Sequence, residues 1–233
     1  MKWTNTLSAL LVMMTMTFAF TSCDEDPWDD GWDYYDYSQG WYDDYDWYDK
    51  PFDYGKSDLV TMAQTLNGTW SGTATNEYTN DDGQRERVSF YADFTFTQYS
   101  QNSNNGTGYE TDYDDSGNEQ TLRFKWYIDP RTYDIYIEYV NSGYQYVLNF
   151  RGNSNTSGFY LGYDDQLRKD VFSGVMEGVN NNEYIFFDCD RVTARNVAPR
   201  TQAGASAVTG KSYGSAKGVT RTDASAPMGL RKR

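Results

Sequence analysis

The chain has 233 residues, no histidine, 34 acidic against 20 basic side chains, and a formal net charge of −14. The lack of histidine removes Ser-His-Asp and Cys-His nucleophile arrangements and histidine ligands to zinc. The acidic balance argues against nucleic acid as a partner, because phosphate binding needs clustered Lys and Arg.

In chain order, Lys2 precedes an apolar run over residues 7–20. The run has the length of a signal h-region and falls short of the ~20 apolar residues of a membrane span. Phe20, Thr21 and Ser22 lead to Cys23, and an acidic tract begins at once. Small residues before a cysteine at such a seam resemble the lipobox of bacterial lipoproteins. That resemblance implies cleavage before Cys23, diacylglycerol on its sulfur and a palmitate-type acyl chain on the new amine. Several acyl chains anchor stably where one does not. A secretory peptide with an incidental cysteine is the plainer alternative. Once Cys23 is modified, Cys189 has no disulfide partner, so stability must come from a core.

Residues 24–54 interleave Trp28, Trp32, Trp41, Trp47 and seven tyrosines with aspartates. No helical or strand period persists and like charges repel, so the tract reads as an extended, disordered tether. Its aspartates lack the order of a calcium-binding EF-hand loop, and no metal or cofactor is expected. Asp24 directly after Cys23 resembles the acidic export signal of surface lipoproteins in Bacteroidetes-type bacteria. This implies an outer-membrane lipoprotein displayed at the cell surface; a periplasm-facing anchor is the alternative.

From Ser57 the pattern changes. SDLVTMAQTLNG reads as a short helix, with Ser57 as its cap, Asp58 in the first turn and a stripe of Leu59, Met62, Ala63 and Leu66. Thereafter the apolar period is two. Eight strands are expected: TWSGTATNEY, RVSFYADFTFTQY, TLRFKWYI, YDIYIEYV, YQYVLNF, GFYLGY, DVFSGVMEG and EYIFFDCDRV. The stretch from Ser100 to Glu119, between the second and third, reads as a polar loop. Short antiparallel neighbours close most simply into an up-and-down barrel, which leaves no exposed edge; a β-sandwich is the competing all-β arrangement.

The segment LNGTWSG, with Gly68, Thr69 and Trp70, resembles the opening of lipocalin-like domains. The resemblance implies an eight-stranded antiparallel barrel over residues 57–193, plugged by the preceding helix. It also implies that Trp70 packs across the closed end and a basic residue of the last strand, Arg191, lies over it. Thr111, Asp112 and Tyr113 spell a second lipocalin motif but fall in the expected loop, so that match reads as chance. The chain is thus divided into a signal peptide (1–22), the lipidated cysteine and tether (23–56), the barrel (57–193) and a basic tail (194–233). The tail carries eight basic residues against Asp223, has no apolar period and is expected to be disordered. Its LRKR run is either solvated or folded onto the acidic body.

No enzymatic activity is expected. Cys189 shares strand parity with Phe187 and reads as a core residue. The leading function is a membrane-anchored, non-enzymatic binding module for a small apolar or amphipathic ligand. Phe94, Phe96, Phe124, Trp126, Tyr139 and Tyr146 are its interior-facing candidates. The alternative is a filled barrel that contacts glycan or a surface protein through loops and outward aromatics, among them Tyr91, Tyr127, Tyr136, Tyr184 and Phe186.

Overall fold

The computed structural model describes residues 51–152, 157–193, 212–214 and 226–231. The signal segment, Cys23 and residues 24–50 lie outside these. Helix α1 (Ser57–Leu66) is followed by β1 (Gly68–Thr79), β2 (Arg85–Gln98), β3 (Asn105–Tyr113), β4 (Glu119–Ile128) and β5 (Ile135–Tyr139). Then come β6 (Gln145–Leu148), β7 (Phe159–Asp164), β8 (Lys169–Gly178), β9 (Tyr184–Arg191) and the two-residue β10 (Ser212–Tyr213).

Every strand pairing is antiparallel, and β1 pairs with both β2 and β9. Because β9 also pairs with β8, and β8 with β6, the sheet closes on itself. The ring has eight positions. One of them is split: β6 and β7 lie along the same edge of β8, with Tyr146 opposite Gly178 and Phe159 opposite Gly174. The expected barrel is present, and closure excludes the sandwich. Strand β10 covers the outer edge of β7.

The expected loop after β2 is largely a strand. β3 pairs with β2 from Gly106 to Tyr113 and with β4 along its whole length. Its inward positions are Gly106, Gly108, Glu110 and Asp112, so it presents no apolar side chain to the core. Glycine is required at 108, where a Cβ would stand 2.3 Å from the Phe124 ring and 2.4 Å from the Thr95 carbonyl oxygen. An inward face of glycines and carboxylates hides a strand from a search for apolar alternation.

Helix α1 closes one end. Lys56, not Ser57, holds the N-cap position, and no side chain caps the helix. Leu59, Met62, Ala63 and Leu66 are buried in the core, as the stripe requires. Between this plug and the middle of the barrel the interior is filled by rings. Phe172 of β8 lies 5.6 Å from Trp70, 5.9 Å from Phe96 and 4.7 Å from Phe187. Phe96 in turn meets Phe124 at 5.1 Å and Trp126 at 5.9 Å. The Phe96–Phe172 contact crosses the lumen, since β2 and β8 are not neighbours in the sheet. Such pairs add ~0.5–1.5 kcal/mol each beyond their area burial.

Residues outside the expected barrel boundaries also join it. Phe52 N–H donates to Asn105 Oδ1 at 2.9 Å, and Asn104 N–H donates to the Phe52 carbonyl at 2.8 Å, which ties the end of the expected tether to β3. The expectation of a disordered tail does not hold for 212–214 and 226–231. Strand β2 overhangs β3, whose pairing stops at Tyr91, and the open edge is taken by residues 227–229. Ser89 N–H donates to the Pro227 carbonyl at 3.2 Å and Gly229 N–H to the Ser89 carbonyl at 3.0 Å, a parallel bridge centred on Met228.

Candidate functional site at the open end of the barrel

The closed end carries the expected motif. Trp70 and Arg191 are register partners on β1 and β9, and the guanidinium carbon lies 4.1 Å from the indole centroid. Trp70 Nε1–H donates to the Leu66 carbonyl at 2.8 Å. Arg191 donates to the carbonyls of Thr65 and, at 2.9 Å, Asn67, and pairs with Asp170 at 3.2 Å. Gly68 has φ +121°, and a Cβ there would stand 2.9 Å from Arg191 Nη1, so glycine is required on both counts. Burial pushes the Asp170 carboxyl up and the Arg191 guanidinium down, and each charge offsets part of the other's shift. This end ties helix, first strand and last strand together.

Of the interior candidates, Phe94, Phe96, Phe124 and Trp126 are fully buried among other rings. Tyr139 and Tyr146 differ. They sit at the opposite, open end, their rings 5.6 Å apart and edge to face, and each hydroxyl meets a carboxylate. Tyr139 O–H donates to Glu110 Oε2, and Tyr146 O–H donates to Glu183 Oε2 at 2.6 Å. Glu110 and Asp112 are both completely buried.

The cation between them is Arg231, from the segment read as tail. Its Nη1 lies 3.1 Å from Glu110 Oε2 and its Nη2 lies 3.7 Å from Glu183 Oε2. Nη2 also donates to the Tyr146 hydroxyl. The guanidinium carbon stands 4.7 Å from the Tyr139 centroid and 5.0 Å from that of Tyr146. Gln120 Nε2–H holds the Arg231 backbone carbonyl at 3.0 Å and Asp112 Oδ2 at 2.8 Å.

The electrostatics follow from burial. Desolvation, with Glu110 beside it, pushes the Asp112 carboxyl up to about 9, so Asp112 is protonated at neutral pH and donates to Glu110. The pair then carries one negative charge, which Arg231 balances. Burial, the largest single influence, would lower the Arg231 guanidinium, but Glu110, Tyr139, Tyr146 and Asp112 together outweigh it and hold the group well above its ordinary value. Burial, reinforced by Glu110, raises the Tyr139 hydroxyl likewise.

A recess of about 20 Å3, lined by Leu122, Tyr139, Tyr144 and Arg231 among others, remains beside the guanidinium. It has room for about one water. Among the described residues, both side-chain polar atoms of Asn76, an inward residue of β1, are buried without a hydrogen-bond partner.

Outward aromatics are less available than expected. Tyr91 is exposed, but Tyr127, Tyr136 and Phe186 are buried. Cys189 is buried and free, and burial pushes its thiol well up, as suits a core residue. The sequence reading missed Glu110, Asp112, Gln120, Glu183 and Arg231. The usable signal was two acids on alternate residues between glycines and tyrosines, in GTGYETDY.

The chain therefore forms a closed eight-stranded antiparallel barrel, consistent with a lipocalin-like fold. No protein-family model and no curated protein sequence matches it.

Proposed function

We propose that the protein is an exported, lipid-anchored, non-enzymatic binding module that takes a cationic, amphipathic group at the open end of its barrel. The observation that carries this reading is the buried Glu110–Asp112 pair walled by Tyr139 and Tyr146. A carboxylate removed from water needs a cation beside it. Aromatic faces add ~0.5–2 kcal/mol for a cation that stacks on them. The ring-filled closed half favours this end over an apolar chamber. The lipid on Cys23 and the acidic run after it support an outer-membrane location with display at the cell surface.

The test uses the full chain carrying Cys23→Ser, which removes the lipid, together with Arg231→Ala. Isothermal titration with agmatine, a guanidinium on a short aliphatic amine, should show saturable binding that Glu110→Gln abolishes. Decanoate should not bind. Saturable decanoate binding with none for agmatine would return the site to an apolar-ligand carrier. Because Arg231 already fills the site, a purely structural barrel is the second reading, and it requires that neither compound binds.

A further inference from the structure

We infer that the open-end site recognises an arginine carried on an extended peptide segment of another polypeptide, and that residues 226–231 are its built-in competitor. This rests on the cation-binding reading above and deepens it from a charge class to a ligand class.

Two independent features meet at this place. One is an open strand edge: the overhang of β2 offers Ser89 N–H and C=O, and both are used by 227–229. Backbone pairing of that kind gives affinity without regard to sequence, while adjoining pockets give specificity. The other is the pocket two residues further on, where Glu110, Glu183 and Tyr146 meet the two terminal guanidinium nitrogens and Tyr139 and Tyr146 face its plane. A planar fork that reaches separate acceptors selects arginine over lysine, whose ammonium is a single point charge. Gly229 adds a size filter, since a Cβ there would stand 3.2 Å from Val88 Cγ2. The preferred peptide therefore carries a small residue two positions before the arginine.

The intramolecular segment is held to the barrel by two backbone hydrogen bonds, by Met228 packed against the core, by the Gln120 contact and by the arginine itself, and no strand of the ring depends on it. Its departure leaves the barrel ladder whole.

The experiment measures fluorescence anisotropy of a labelled Ala-Pro-Met-Gly-Leu-Arg amide against three full-length chains, all with Cys23→Ser. One has no further change, one carries Arg231→Ala, and one carries Gly229→Val, which adds branched bulk against Val88 to weaken the seating of the segment and leaves every pocket residue in place. Circular dichroism confirms that each is folded, and the Gly229→Val chain serves if Arg231→Ala is not. Both displaced chains should bind the peptide at least ~10-fold more tightly than the chain whose tethered arginine competes at high effective concentration. Changing the peptide arginine to lysine should cost at least ~10-fold, the scale of one lost charge-assisted contact. Agmatine binding without peptide binding would overturn this inference and leave the cation reading standing. Failure of both ligands would overturn both. Equal peptide affinity for all three chains would overturn the competitor role of 226–231.

Discussion

Each end of the barrel buries one arginine over an aromatic ring, and the two are held by different kinds of group. Arg191 grows from β9 and donates to the backbone carbonyls of Thr65 and Asn67, and pairs with the carboxylate of Asp170. Arg231 enters on a separate segment and, among the described residues, its guanidinium is met by side chains: Glu110, Glu183 and Tyr146. The first arrangement belongs to the fold, because its acceptors are the end of the plug helix and its cap. The second is a pocket with an occupant, because the ring of strands is complete without it. Similar chemistry serves closure at one end and, in the function proposed above, recognition at the other, and the difference lies in what the acceptors are attached to.

The largest effect should come from the closed end. Trp70→Ala removes a fully buried indole that touches Phe172 and carries Arg191, and should cost ~3–5 kcal/mol in denaturant unfolding. Loss below ~1 kcal/mol would mean that this end collapses around the gap and is not the rigid half.

Arg231→Ala should cost less, ~1–3 kcal/mol, as the penalty of a buried carboxylate left without its donor. Adding Glu110→Gln should recover part of that loss, since the uncompensated charge goes with it. A double variant no more stable than Arg231→Ala alone would show that the pair is not what couples the segment to the barrel.

Asp112 gives the pH signature. Its folded pKa of about 9 lies above the unfolded value of ~3.9. The folded state therefore holds a proton that the unfolded state has lost between those values. The contribution of this group is full below pH ~4, declines as pH rises towards 9 and is flat beyond. Asp112→Asn should flatten the fall in urea midpoint across that window. An unchanged pH profile would place the proton elsewhere.

The smallest effect sharpens the contrast most. Trp70 and Arg191 are in contact, so their double variant should depart from additivity by ~0.5–3 kcal/mol. Trp70 and Arg231, at opposite ends, should add within ~0.3–0.5 kcal/mol. Coupling across the barrel would deny that the two ends are independent.

What could be read from the sequence divides along the same line. Where inward residues are apolar, as Phe90, Phe94 and Phe96 on β2 or Ile135 and Ile137 on β5, alternation marks the strand and its face. The Gly68–Trp70 motif and the parity of Arg191 pointed to closure because that contact is made within the regular barrel register. On β3 the inward set is Gly106, Gly108, Glu110 and Asp112, and hydropathy sees a loop. The charge buried there is offset by Arg231, more than a hundred residues later, and no local pattern holds that information. The strand that hides from periodicity is the strand that carries the proposed site, a place where local sequence rules are expected to yield.

The most direct measurement is 15N NMR of the guanidinium groups in the full-length chain with Cys23→Ser, titrated with N-acetylarginine amide. Arg191 and Arg231 should both start with slowly exchanging, dispersed signals, being buried and bonded. As the amide is added, Arg231 alone should shift to the position and fast exchange of a solvated arginine, while Arg191 stays fixed. An Arg231 signal that is solvated from the outset, or one that stays buried at saturating amide, would contradict an exchangeable arginine site at the open end.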